Sequence, residues 1–238
     1  MIEVKNVSKT YTKFKNFRFK KIKALDNISL NIEKGKITAL LGINGMGKST
    51  ALKAISGLIQ IDIGEILIDG EKLKNSTYDK LAFVPDINTH FSGITIKESV
   101  EFMQTFYKNW NKEKANDMIN MFKLDVNSTI DDLSKGNIAR VKIMLGFCQD
   151  ADYILLDEPF SGIDVFKREE FLKAITRYMK EDQAIVITTH EIDEIEGLVD
   201  DVILLEEGKV IATFNAEDVR ENEGKSIVDK MREVYKYE

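Results

Sequence analysis

Nine consecutive residues, Gly42-Ile43-Asn44-Gly45-Met46-Gly47-Lys48-Ser49-Thr50, have the types and spacing to hold a polyphosphate. Glycines at this density let the backbone curl until successive N–H groups point inward at phosphate oxygens. The stretch fits G-x-x-x-x-G-K-[ST], with the apolar run KITALL before it and the helix-like run ALKAISGL after it. That strand–loop–helix setting is the one the motif requires, and the helix start adds its positive dipole end. In such a loop Lys48 reaches the β- and γ-phosphates and the Ser49 hydroxyl binds Mg²⁺. These residues predict a nucleotide site.

Two acids complete it. YILLDEP, Tyr153 to Pro159, is an apolar strand that stops abruptly at Asp157 and Glu158. Asp157 at the strand end suits Mg²⁺, mostly through water. By the period-two alternation of a strand Glu158 faces the other way, placed to orient and deprotonate a water aimed at the γ-phosphate. The alternative is two acids that merely cap a helix or a surface turn. A third apolar run, AIVITT, leads into His190, where the C-terminal edge of a sheet meets ligand. An imidazole there can hydrogen-bond the γ-phosphate; a capping or core histidine is the alternative. The other histidine, His90 in NTHFSG, reads as a surface loop residue.

One stretch has no ligand of its own in view. Leu133-Ser134-Lys135-Gly136-Asn137 opens the helix-like IARVKIMLGFC with a serine and a bare glycine amide, yet nothing beside it can form a pocket.

The elements that must position these groups alternate between strand and helix, the pattern of a parallel sheet covered on both faces. IGEILIDGEKL and DVILLEEGKVIATF instead read as hairpins with DG and EGK turns. From about Ile94 to Gln149 the period turns helical: TIKE, Thr95 to Glu98, is a capping box opening VEFMQTFYKNW, and KEKANDMINMFKL follows. A helical lobe is therefore predicted inside an α/β core, with a helical tail over Ser226 to Tyr237.

Composition narrows the classes. The 238 residues are 43% apolar and 31% charged, ordinary for a globular protein with a full core. A net charge of −6 argues against general nucleic-acid affinity. The single Cys148 excludes an internal disulfide and fits a reducing cytosol. No run approaches the roughly 18 apolar residues of a membrane helix, and MIEVKNVSK lacks a signal-peptide core. One segment departs from the balance: Lys13 to Lys23, KFKNFRFKKIK, has six basic residues and no acidic one, so the remainder of the chain carries −12. Its near-alternation predicts a strand or hairpin with one wet face. A solvated hairpin, contact with anionic lipid and contact with a partner's acidic loop all stay open.

In this order the motifs resemble those of the ATP-binding subunits of ABC transporters, over residues 1 to 225. GINGMGKST is similar to the family's Walker A loop, ILLDEP to its Walker B strand with catalytic Glu158, and LSKGN to its LSGGQ signature. FSGID, with Ser161, Gly162 and Asp164, resembles the D-loop, TTH the switch histidine motif, and Tyr11 the aromatic that stacks on adenine. The resemblance implies a P-loop NTPase (RecA-like) α/β core with a parallel sheet, an antiparallel β subdomain and an inserted α-helical subdomain. The implied division is residues 1–90 and 150–215 for β subdomain and core, 91–149 for the helical subdomain with the signature, and 216–238 for the tail. It implies ATP and Mg²⁺ as ligands, hydrolysis of ATP, and a second ATPase subunit, expected identical, packed head to tail. Ser134 and the Gly136 amide would then complete the γ-phosphate shell of the neighbour's ATP, which answers the puzzle of LSKGN.

Three departures from the pattern stand out. FVPD puts Asp86 where the Q-loop usually has glutamine; a carboxylate there can meet Mg²⁺ or the attacking water, with shorter reach and a new charge. Lys135 and Asn137 replace glycine and glutamine of the signature. The basic insert follows Tyr11, so Phe14, Phe17 or Phe19 could stack on adenine instead. A PD-type Q-loop with LSKG looks most like bacterial ABC-2-type exporters, some of which move antibiotics, lipids or amphipathic peptides. A polytopic membrane partner is expected at the cytoplasmic face of the cell membrane, docked in a groove beside Asp86 near Phe91 and Ile94. The rival is a soluble ABC ATPase acting on nucleic acid or ribosomes, whose coiled-coil insertion or tandem ATPase domains are not evident in this chain; an importer ATPase is the other alternative.

Overall fold

The computed structural model describes residues 1–15, 18–87, 92–190 and 192–235. Two sheets face each other across a shared core. The first is antiparallel, in the order β2-β1-β4-β5, from β1 (Ile2–Lys15), β2 (Arg18–Ile32), β4 (Ile63–Ile68) and β5 (Glu71–Lys72). The second has the order β10-β9-β3-β8-β7-β6. It is built from β3 (Ile37–Leu41), β6 (Leu81–Val84), β7 (Tyr153–Asp157), β8 (Ala184–Thr189), β9 (Asp201–Glu206) and β10 (Lys209–Asn215). All its neighbours pair in parallel except β10 with β9, the hairpin predicted from the EGK turn. β6, the short run LAFV, has no counterpart among the strands predicted from sequence.

The continuous apolar runs of β3, β7 and β8 follow from burial on both faces. Tyr153 and Leu155 point into the layer shared with the antiparallel sheet and helix α1 (Lys48–Ile55), where Leu40, Leu52 and Ile55 are also buried. Ile154 and Leu156 point the other way, into the layer that holds the remaining helices. A one-turn α2 (Asn75–Tyr78) precedes β6.

The helical lobe forms where the period changes. Helix α3 (Ile96–Phe106) starts at the predicted capping box: Glu98 N–H donates to Thr95 Oγ1 at 3.2 Å and Thr95 N–H to Glu98 Oε2 at 2.7 Å. Helix α4 (Lys112–Met121) is capped by Asn111, which accepts from Lys114 N–H at 2.9 Å. Helix α5 (Lys135–Phe147) returns to the sheet and packs on β6. A Cβ on Gly146 would lie 2.4 Å from Val84 Cγ2, so only glycine lets α5 approach this closely. Helix α6 (Val165–Tyr178) follows β7, a single turn α7 (Ala216–Asp218) follows β10, and α8 (Ile227–Tyr235) forms the predicted tail.

The basic segment differs from expectation. β1 and β2 stay paired out to Lys15 opposite Arg18, and Thr12–Phe14 and Arg18–Lys23 are exposed on both faces, not one. The hairpin outruns β4, whose pairing with β1 ends at Ser8 opposite Ile63, so these described residues extend past the rest of the sheet.

Candidate functional site

The glycine-rich loop leaves β3 at Leu41 and closes into α1 at Lys48. Gly47 has φ 103°, and a Cβ there would meet the Ala24 carbonyl oxygen at 2.4 Å, so the turn and the contact with β2 both demand glycine. The loop is clasped from its far side: Gly208 N–H donates to Met46 O at 3.2 Å, in the β9–β10 turn. The first turn of α1 leaves its N–H groups without intrahelical partners, and they border a cavity of about 370 Å³. Asn44, Gly45, Gly47, Lys48, Ser49 and Thr50 line it together with Ala24, Asp86, Glu158, Ser161 and His190.

In its wall and just behind it the acids and bases form two linked sets. Ser49 Oγ donates to Asp157 Oδ1 at 2.8 Å, and Thr188 Oγ1 donates to the same oxygen at 2.8 Å. Asp157 is only 3% exposed. Lys48 Nζ donates to Gly42 O at 2.7 Å and lies 3.3 Å from Glu158 Oε1, while Glu158 Oε2 lies 2.9 Å from His190 Nδ1. The Glu158 carboxylate thus bridges the buried lysine and the half-exposed histidine.

The direction of Glu158 has another cause than strand alternation. β7 ends at Asp157, and Glu158 has φ 45° in the left-handed region. Its N–H donates to Thr188 O at 3.1 Å and to Thr188 Oγ1 at 2.9 Å. Thr188, fully buried, therefore fixes both acids at once. Sequence reasoning passed over it; the signal was a hydroxyl in the AIVITT strand at the rung beside Asp157.

Ser49 and Asp157 offer oxygen donors suited to a hard cation. Among the described residues no cluster of three or more His, Cys, Asp and Glu forms a metal cage. The donor set fits Mg²⁺, which takes one or two protein oxygens and completes its shell with phosphate and water.

Asp86 follows β6 and Pro85 and reaches the cavity edge, exposed. Its carbonyl accepts from Lys142 Nζ of α5 at 2.7 Å. Burial lowers the Lys142 pKa, opposed by the negative charges of Asp86 and Asp157. Lys142 was not anticipated from sequence. It also lines an apolar groove of about 200 Å³ with Pro85, Ile94, Phe102, Tyr107 and Leu145. Phe17, His90 and Phe91 lie outside the described residues.

The signature stands apart from this cavity: none of Leu133 to Asn137 lines it. Ser134 caps α5, accepting from Asn137 N–H at 3.4 Å, and is exposed. Gly136 is not bare, since the Lys167 side chain covers it; a Cβ there would meet Lys167 Cδ at 2.4 Å. Lys167 pairs with Asp164, which caps α6 and accepts from Lys167 N–H at 3.1 Å. Gly162 turns beside Lys135, at φ 72°. Tyr11 is half-buried in β1 opposite Ile22, with Lys9 Nζ 5.7 Å from its ring centre, and does not line the phosphate cavity. Ile43 is exposed on the loop.

A phosphate cradle at the carboxyl edge of a parallel sheet, faced by an acid pair at the end of β7, defines a nucleotide-hydrolysing α/β cassette. The ABC transporter family model matches residues 25–161, and the chain belongs to that family as an ATP-binding, ATP-hydrolysing subunit. It is 33% identical over 233 residues to the petrobactin import ATP-binding protein YclP of Bacillus subtilis, covering 93% of this chain and 89% of the relative. It is 29% identical over 237 residues to the lipopolysaccharide export system ATP-binding protein LptB of Haemophilus influenzae, covering 94% of each. Among solved structures it resembles a dimeric post-hydrolysis ATP-binding cassette bound to ADP and Pi, with a TM-score of 0.79 and 28% identity over 90% of this chain and 98% of that one.

Proposed function

We propose that this subunit closes on ATP head to tail with an identical copy and drives a separate membrane protein that exports an antibiotic, a lipid or an amphipathic peptide. The observation that carries the hydrolytic part is the convergence of Lys48, Ser49, Glu158 and His190 on one cavity, with the buried Asp157 held behind Ser49. The loop amides and Lys48 bind the β- and γ-phosphates. Glu158, held by Thr188 and flanked by Lys48 and His190, orients a water and accepts its proton as the bond to phosphorus forms. His190, through Glu158, registers the γ-phosphate. Ser49 and Asp157 would hold Mg²⁺, which when bound neutralises charge on the phosphate oxygens.

The displacement of Ser134 and Gly136 from their own cavity supports a composite site, completed by a neighbouring copy once the flexible Lys167 side chain swings off Gly136. The apolar groove between Pro85 and α3 supports docking of the membrane subunit, with Ile94 on its wall. Pro85-Asp86 and LSKG favour export, while the relatives include both an import subunit at 33% identity and an export subunit at 29%. The deciding experiment is Glu158→Gln. The variant keeps shape and loses the base, so ATP binding and dimerisation persist while turnover falls about 10²–10⁴-fold. Near-normal turnover would assign water activation to another group. Direction follows from cargo movement in vesicles containing the co-purified membrane subunit.

A further inference from the structure

The outer part of the β1–β2 hairpin lies apart from the phosphate cavity: none of Thr10 to Phe14 or Arg18 to Lys23 lines it. Thr10, Tyr11, Thr12, Lys13 and Phe14 pair with Lys23, Ile22, Lys21, Lys20 and Phe19. At about 3.3 Å per residue the stretch from Thr10 to Lys15 carries the tip roughly 17 Å out. That is about two Debye lengths at physiological salt, so the −12 of the remaining chain does not cancel the charge there.

The chemistry is ordered along and across the hairpin. Strand alternation puts the Phe14–Phe19 rung on one face, and the rings lie 5.0 Å apart, 62% and 76% exposed. The next rung inward, on the opposite face, sets Lys13 directly against Lys20, and Lys21 follows on the aromatic face. Lys23 is neutralised by Asp26, whereas Lys13, Arg18, Lys20 and Lys21 have no ion-pair partner among the described residues. Like charges on directly opposed residues weaken a strand pair, and the paired rings leave most of their apolar area in water. One environment relieves the repulsion and covers the rings: an anionic surface with an apolar layer beneath it.

We propose that this hairpin binds the anionic lipid surface of the bilayer, Phe14 and Phe19 entering the headgroup boundary while Lys13, Arg18, Lys20 and Lys21 meet lipid phosphates. An acidic protein loop would satisfy the lysines and leave the rings in water. A nucleic acid would lie along the hairpin and meet the acidic body. A lipid surface contacts only the tip. Binding requires neither nucleotide nor the membrane subunit.

The full chain, without nucleotide or membrane subunit, is sedimented with vesicles of phosphatidylcholine alone or with about one-third phosphatidylglycerol. Binding is expected only to the anionic vesicles, weakening steeply with salt. Lys13→Gln/Lys20→Gln/Lys21→Gln should lose about fivefold per charge, roughly a hundredfold together. Phe14→Ser/Phe19→Ser should weaken binding while keeping the steepness of the salt dependence. Circular dichroism verifies that each variant is folded. Equal binding to neutral vesicles, no binding to either kind, or an unaltered triple variant would overturn the proposal. So would tighter capture by an acidic peptide, by a polynucleotide or by a second copy of the chain.

Discussion

Thr188→Val removes one hydroxyl from a fully buried site and changes almost nothing in shape. Two interactions go with it: the bond to Asp157 Oδ1 at 2.8 Å and the acceptor for Glu158 N–H at 2.9 Å. The Glu158 N–H keeps the Thr188 carbonyl at 3.1 Å, and Asp157 keeps Ser49 at 2.8 Å, so neither group is left bare. The loss is therefore that of one hydrogen bond to a charged group, about 1.5–3 kcal/mol. At roughly 2–4 °C per kcal/mol for a chain of this size, the melting temperature should fall by about 3–12 °C. If the same energy holds Asp157 and Glu158 in place as the γ-phosphate bond breaks, turnover should fall about 10–100-fold at about tenfold per 1.4 kcal/mol. Phosphate release at saturating ATP, across a Mg²⁺ titration, reads the effect on Asp157 as a higher Mg²⁺ requirement. Thr188→Ser restores the hydroxyl and should recover most of the rate. Folded Thr188→Val with turnover within about twofold of the parent and an unchanged Mg²⁺ requirement would refute the clasp. A serine variant as slow as the valine one would shift the role to the methyl group.

Asp86→Asn should raise the Mg²⁺ concentration needed for turnover more than it weakens ATP binding, and Asp86→Gln should be tolerated; an unchanged requirement makes Asp86 a turn acid that caps β6. Mixing Ser134→Arg subunits with Lys48→Ala subunits places both lesions in one composite site and leaves the other intact, so activity should return. No recovery in verified mixed dimers would count against the head-to-tail site. Asp69 is pushed up by burial, but hydrogen bonds from Lys80, the chain's amino terminus and Tyr153 outweigh this and hold its carboxyl below the ordinary range. A depressed folded pKa stabilises above the unfolded value near 3.9 and is lost as pH falls through the folded value. Asp69→Asn should therefore melt lower at pH 7, with the gap to the parent closing progressively below about pH 4; a constant gap would assign the loss to packing.

The nucleotide loop was legible in the sequence because its chemistry is local: Gly42, Gly45, Gly47, Lys48 and Ser49 act through a backbone curl that nine residues specify. The β7 and β8 runs were legible because burial on both faces leaves continuous apolar stretches, and α3 because Thr95 and Glu98 cap within three residues of each other. β6 was not, since four apolar residues before Pro85 carry no period; only the parallel register with β7 makes them a strand. Glu158 was assigned its place by alternation, yet a left-handed φ and two bonds to Thr188, thirty residues away, orient it. The cover of Lys167 over Gly136, the bond from Lys142 to Asp86 and the clasp of Met46 by the β9–β10 turn are likewise contacts between distant segments. The hairpin divides the same way. Its charge is written in Lys13 to Lys23, but its wetness on both faces is decided by where the underlying sheet stops. Sequence spacing encodes what a residue does with its own backbone; which partner meets it depends on chain closure, and that is settled only when the sheets pack.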